Sequence, residues 1–283
     1  VDARTAALTA AAMCAFAANS LLCRAALGAG AVDPFSFTSV RIAAGALVLA
    51  AFARGGAGAA GRGPVRRPWA LALALFGYAI AFSLAYMRIP AAVGALALFG
   101  TVQACMIGWG VISGHAPRPL EWAGLALAVA GLIGLTLPGL SAPDPLGFTL
   151  MVAAGGCWAA YSLMGRGGGP PLLANAGSFA RAVPLALAAS LAGAALAAPH
   201  ASARGVALAL VSGAVTSGLG YVAWYAALQG LSATQGALVQ LSVAPLAALG
   251  GVLVLGETAG PRLLLCGALI LGGIALALGP RRA

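Results

Sequence analysis

Lysine is absent from this chain of 283 residues, and all 15 basic residues are arginine. That excludes a P-loop, which needs its Lys on the phosphates, and any chemistry through a Lys Schiff base. Acids are scarce too: Asp and Glu together number 5, and charged residues of all kinds make up 7% of the chain. A soluble domain needs about 25% charged residues to cover its surface. A soluble fold is therefore excluded, and lipid is the main solvent. The 5 cysteines stand singly in apolar surroundings, without CxxC spacing. They read as small hydrophobes, so neither a disulfide nor a metal site is expected.

What the chain does have is apolar length. Hydrophobic residues are 62% of it, with a mean hydropathy of +1.01. Runs of about 20 apolar residues, each enough to cross a bilayer, recur from end to end. The first, from about Thr5 to Leu22, is long for a secretory h-region and has one flanking Arg. It reads as a mature helix, not a cleaved leader.

Charges, Gly and Pro divide the chain into ten predicted spans, at about 5–23, 36–53, 69–87, 92–113 and 121–138, then 147–164, 175–197, 205–226, 232–254 and 262–279. With ten spans both termini share one side. That side carries Arg4, Arg54, Arg62, Arg66, Arg67, Arg118, Arg166, Arg281 and Arg282; the other carries Arg24, Arg88, Arg204 and Arg262. The excess places both termini in the cytoplasm. The net charge of +10 thus reads as membrane orientation, and no nucleic-acid partner is expected.

The two halves resemble each other. "FAANSLLCR" (16–24) matches "WAAYSLMGR" (158–166) at Ala-Ala, Ser, Leu and the closing Arg. "FTSVR" (37–41) aligns with "GSFAR" (177–181), and "YAIAFSLAY" (78–86) with "SGLGYVAWY" (217–225). Five spans per half is an odd number, so the copies lie oppositely in the membrane. The expected fold is an all-α integral membrane protein of ten helices in two inverted five-helix repeats, 1–140 and 141–283. Inverted repeats are an architecture of secondary transporters, with the cargo site near the midplane between halves.

These motifs resemble the drug/metabolite transporter superfamily, in its ten-helix members with two EamA-type domains. The carriers are "WAAYSLMGR", "FTSVR" and the ninth-span stretch "SATQGALVQLSVAPLAALGGVLVLGE" (232–257). Within that superfamily the chain looks most like the YddG-type exporters of aromatic and other amino acids. The first half departs from the pattern: Cys105 stands where the second has Pro245, and His115 where it has Glu257. The resemblance implies a central cavity lined by helices 1–4 and 6–9, with helices 5 and 10 peripheral.

Candidate cargo residues come from aromatic and polar groups at membrane depth. Tyr78, Phe82 and Tyr86 fall on one helical face of the third span. Ser217, Tyr221 and Tyr225 form the matching face of the eighth, with Trp224 beside it. Trp158 and Tyr161 add aromatic surface from the sixth. Tyr86, Trp69 and Trp122 lie near span ends and fit an interfacial belt; Tyr78, Trp158 and Tyr221 lie deeper and are assigned to the cavity. Asn19, Gln103 and Gln240 are open between cargo contact and helix–helix bonding. Ser20 and Ser162 are small and read as helix–helix bonds. Arg41 and Arg181 sit about six residues inside their spans, where a central Arg costs roughly 2.5–3.5 kcal/mol on insertion scales. Snorkelling or structural pairing is the favoured reading for both, with a cargo carboxylate as the alternative.

No Asp or Glu lies deep in any span, since Asp2, Asp33, Glu121, Asp144 and Glu257 are all at span ends. A carboxylate proton relay is therefore missing, and so is the anionic site that a multidrug-cation exporter needs. The expected function is a secondary transporter that exports neutral amino acids, aromatic ones included, across the bacterial inner membrane by alternating access. Another metabolite or a drug is the alternative cargo. An integral-membrane enzyme is a distant third, because the two His fall in loops on opposite sides and no catalytic cluster exists. No cofactor and no protein partner are implied.

Overall fold

The computed structural model describes residues 2–54, 67–114, 119–136, 142–165, 171–196, 198–231, 236 and 239–277. Among them helix is the only extended regular structure, beside one isolated β-bridge, Val32 to Ala201. The helices are α1 (Ala3–Leu27), α2 (Pro34–Arg54), α3 (Pro68–Tyr86), α4 (Ala91–Ile112) and α5 (Pro119–Thr136). They continue with α6 (Pro145–Gly165), α7 (Pro171–Leu196), α8 (Ala203–Leu228), α9 (Val243–Leu255) and α10 (Pro261–Ala277).

Their boundaries follow from start signals. α2, α3, α5, α6, α7 and α10 each open on Pro, whose missing N–H costs nothing in the first turn. Asp2, Asp33, Asp144 and Ser202 cap α1, α2, α6 and α8, each accepting from a backbone N–H in the first turn at 2.6–3.1 Å. The few acids are thus spent at helix N-termini, where the dipole favours them.

Seven of these helices, α1–α4 and α6–α8, are long and apolar enough to cross a membrane by length and composition; α5, α9 and α10 hold shorter apolar stretches among the described residues. Large apolar side chains face outward, among them Leu47, Ile112, Leu191 and Leu253, each more than 70% exposed. Such a surface suits lipid and not water.

The predicted spans and the helices coincide closely, with one exception. Pro245, expected in mid-span, stands in the first turn of α9. It has no N–H for the carbonyl of Leu241, and the chain turns at Leu241–Ser242 instead of continuing as helix. The earlier part of that predicted span, 232–235 and 237–238, lies outside the described residues, as do His115 and Arg166.

Packing runs mainly between the two sequence halves. α5 lies against α10, α2 against α7 and α8, and α3 against α6 and α7. α4 packs on α6 and α9, while α1 packs on α8 and α9. α2 and α8 approach so closely at Gly213 that a Cβ there would have no room beside the Arg41 carbonyl.

Candidate functional site

A cavity of ≈ 30 Å³ lies at the centre of the bundle. Its walls are Phe16, Asn19 and Ser20 of α1, Tyr78 and Phe82 of α3, Leu98 and Phe99 of α4, and Trp158 of α6. Thr216, Ser217 and Tyr221 of α8, with Gln240 just ahead of the turn that precedes α9, complete it. The volume holds about one or two waters, against the roughly 300–1,000 Å³ of a ligand pocket. The site is closed in this conformation.

Its aromatic groups touch in sequence around the wall. Trp158 stacks on Tyr221 with centroids 5.6 Å apart and planes at 14°, and meets Tyr78 at 4.9 Å. Tyr78 leads to Phe82 at 5.2 Å, and Phe82 to Tyr86 edge-on at 4.6 Å. Phe16 closes the far side against Tyr221 at 5.6 Å.

The backbone of α8 explains how three consecutive polar positions reach one place. Ser212–Leu219 is π-helical, a wider winding that turns Ser212, Thr216 and Ser217 inward together and is common at functional sites. Asn19 Oδ1 accepts from Ser212 Oγ at 2.7 Å and from Thr216 Oγ1 at 3.1 Å. Asn19 is therefore both cavity wall and a fastener between α1 and α8. Gln240 lines the cavity immediately before the turn at Leu241–Ser242.

Of the sequence candidates, Asn19, Tyr78, Phe82, Trp158, Ser217, Tyr221 and Gln240 meet in this one wall. Tyr161 and Trp224 stand one layer behind it. The Tyr161 hydroxyl donates to Asn175 Oδ1 at 2.6 Å, and Trp224 packs on Phe16 at 6.1 Å. Gln103 is buried on α4 away from the cavity. Tyr86, expected at the interface, is fully buried beneath α4, whereas Trp69 and Trp122 are half exposed as a belt requires.

Sequence reasoning missed Leu98, Phe99 and Thr216, and took Ser20 only for helix glue. Phe16 lines the wall together with Trp158, with which it aligns in the two nine-residue stretches. Thr216 was not recoverable, because a π-helical stretch has no signature in a 3.6-residue period.

The two intramembrane arginines have different fates. Arg181 is partly exposed and turns its Nη1 back onto the Gly177 carbonyl, 2.9 Å away. Arg41 does not snorkel: it is 2% exposed. Its Nη2 donates to the Tyr78 hydroxyl at 3.2 Å, its Nε to Ser217 Oγ at 3.4 Å and its Nη1 to Cys23 Sγ at 4.0 Å. The guanidinium also lies over the rings of Tyr78 and Phe82, 5.4 and 5.1 Å from their centroids.

One end of the bundle is tied shut. Gly256, at φ 68°, ends α9 in the left-handed region and lets Glu257 turn back. Both Glu257 carboxylate oxygens accept the Ala91 N–H at 2.9 Å, and Arg24 Nε lies 3.5 Å from Oε1. Arg24 also donates to the Tyr86 carbonyl at 2.9 Å. Four helix ends, those of α1, α3, α4 and α9, therefore share one charged knot. At the same end Asp33 accepts from the backbone N–H groups of Ser36, Phe35 and His200. Partial burial pushes the Asp33 carboxyl up, but these hydrogen bonds outweigh it and hold the group below its ordinary value.

Among the described residues no three His, Cys, Asp or Glu gather where a metal could bind.

Residues 145–279 match the model of the EamA-like transporter family. The chain is also 51% identical, over 99% of its own length and 96% of the relative's, to "Uncharacterized protein PA1977" of Pseudomonas aeruginosa. The second half of the chain is an EamA-like transporter family domain. That family is part of the drug/metabolite transporter superfamily, and the domain, together with the long apolar helices, points to a multi-pass membrane protein of transporter type. The fold agrees with a solved crystal structure of a protein 22% identical, at a TM-score of 0.64 over 95% of each chain. At that identity the likeness is one of fold.

Proposed function

We propose that this transporter exports neutral amino acids, aromatic ones included, across the bacterial inner membrane by alternating access. The observation that carries the reading is the central wall, where five aromatic rings (Phe16, Tyr78, Phe82, Trp158 and Tyr221) surround neutral hydrogen-bonding groups on Asn19, Ser217 and Gln240. Rings hold an apolar side chain, and the polar groups hold the backbone of the cargo. The YddG-type likeness of the sequence points to the same cargo.

Two inverted repeats of five helices, 1–140 and 141–283, with both termini cytoplasmic, complete the proposal. The helix pairing supports it. Exchanging each helix for the one five places on turns α3–α6 into α8–α1, α4–α6 into α9–α1 and α3–α7 into α8–α2, all of them contacts in the bundle. The pairs α2–α7, α4–α9 and α5–α10 map onto themselves, as helices straddling a twofold axis do.

A closed cavity must open to admit cargo. The packing favours α3, α4 and α6 as one body rocking against α1, α8 and α9 as the other, with the Glu257 knot holding one end shut in this conformation. A proteoliposome assay tests the function: vesicles loaded with unlabelled phenylalanine should accumulate labelled phenylalanine by counterflow. No exchange of any neutral amino acid refutes the reading. Competition by nucleosides, sugars or drugs in place of amino acids identifies the other cargo class.

A further inference from the structure

The described part of the cavity wall carries no formal charge, yet a full positive charge stands directly behind it. Arg41 is 2% exposed, and its hydrogen-bond partners and ring contacts are neutral: Tyr78, Ser217, Cys23 and Phe82. Three of those four line the cavity. Among the described residues the ion pairs are Arg24 with Glu257 and Arg88 with Asp144, so Arg41 has no carboxylate partner. The four acids with described side chains all sit at helix starts: Asp2, Asp33 and Asp144 at their own helices, and Glu257 at that of α4.

A buried cation without an anion is costly in a membrane interior. Its field reaches the cavity over a short path, because the side chains it touches, Tyr78, Phe82 and Ser217, are themselves the cavity wall. The repeat counterpart, Arg181, bonds its own helix, so the charge is on one side only and gives the cavity a direction.

We propose that Arg41 makes this cavity a site for one carboxylate on an apolar body, selecting arene-bearing monocarboxylates and rejecting amines. The inference rests on the transporter reading of the cavity and ranks its cargo. The acid end points toward Arg41, through or in place of the Tyr78 and Ser217 hydroxyls, and the apolar body lies between Trp158 and Phe16. A zwitterion gains the same carboxylate contact but brings an ammonium for which the described wall offers no anion. An amine brings only the repelled charge.

Three ring-matched probes separate these cases: 3-phenylpropionate, phenylalanine and 2-phenylethylamine. Binding to purified wild-type protein and exchange in proteoliposomes are measured for each. The expected order is acid first, then amino acid, with the amine at least tenfold weaker than either. In Arg41→Gln the gap between acid and amine should collapse, and Arg41→Lys should keep part of it. An amine bound as tightly as the acid overturns the proposal while leaving a working transporter. A gap that survives Arg41→Gln makes Arg41 a fastener and overturns it as well. If none of the three binds or exchanges, the cavity reading falls together with it. If Arg41→Gln does not fold, the wild-type order decides alone.

Discussion

Glu257, just past the end of α9, holds the N–H of Ala91 at the start of α4 with both oxygens at 2.9 Å. It is a helix cap supplied from another helix, 166 positions away in the chain. Glu257→Ala should remove the cap and strand Arg24, costing about 1–2 kcal/mol. Thermal unfolding in detergent reads this. Glu257→Gln, which keeps an acceptor, should cost less. In transport, both variants should open the knotted end more readily, seen as faster labelling of a cysteine introduced at Ala25.

Trp158 touches three aromatic neighbours around the cavity. Trp158→Ala should weaken binding of phenylalanine by up to about tenfold, as loss of one ring pair with the cargo, about 0.5–1.5 kcal/mol, implies. Trp158→Phe should keep most of the affinity. A competition curve in proteoliposomes distinguishes these outcomes, and an unchanged curve for the Ala variant would remove Trp158 from the site.

Tyr161 provides the contrast. Its hydroxyl bonds Asn175 behind the wall, so Tyr161→Phe should cost about 0.6–1.5 kcal/mol of stability and leave apparent cargo affinity unchanged. A shift in affinity without a shift in melting would place it in the wall.

Gly213→Ala should destabilise by about 1–3 kcal/mol, because a methyl there meets the Arg41 carbonyl and the helices must part. Gly272→Ala is the control. A Cβ at Gly272 meets nothing within 4 Å, and replacing a helix glycine by Ala stabilises by up to about 1 kcal/mol.

Asp33 gives a pH signature. Its carboxyl lies below the ordinary 3.8 in the folded protein, so the charged form favours folding. That stability is present in full above the unfolded value and is lost as pH falls through the folded one. The difference in melting temperature between wild type and Asp33→Asn should be constant near neutral pH and shrink in acid below about pH 4.

Much of this was legible beforehand, and for simple reasons. Bilayer thickness sets helix length, so Pro34, Pro68, Pro145 and Pro171 marked starts within a few residues. Tyr78 and Phe82 on one face, with Ser217 and Tyr221 on its counterpart, followed from period and repeat together. What escaped depended on departures from period. The π-helical turn brings Thr216 beside Ser217, and the break before Pro245 follows directly on Gln240 in the cavity wall. Arg41 and Arg181 are indistinguishable in aligned pentapeptides. Only the neighbours decide which one is buried, and Arg41 has Tyr78 and Phe82 to lie upon.

The first helix of each half is lodged among helices of the other: α1 with α8 and α9, α6 with α3 and α4. Neither half can therefore complete its own packing. Made as separate polypeptides, 1–140 and 141–283 should each be degraded when expressed alone and accumulate when expressed together, as an obligate complementing pair. The connection between them at 137–145 is then a convenience of synthesis, and cutting it should leave a protein that still assembles.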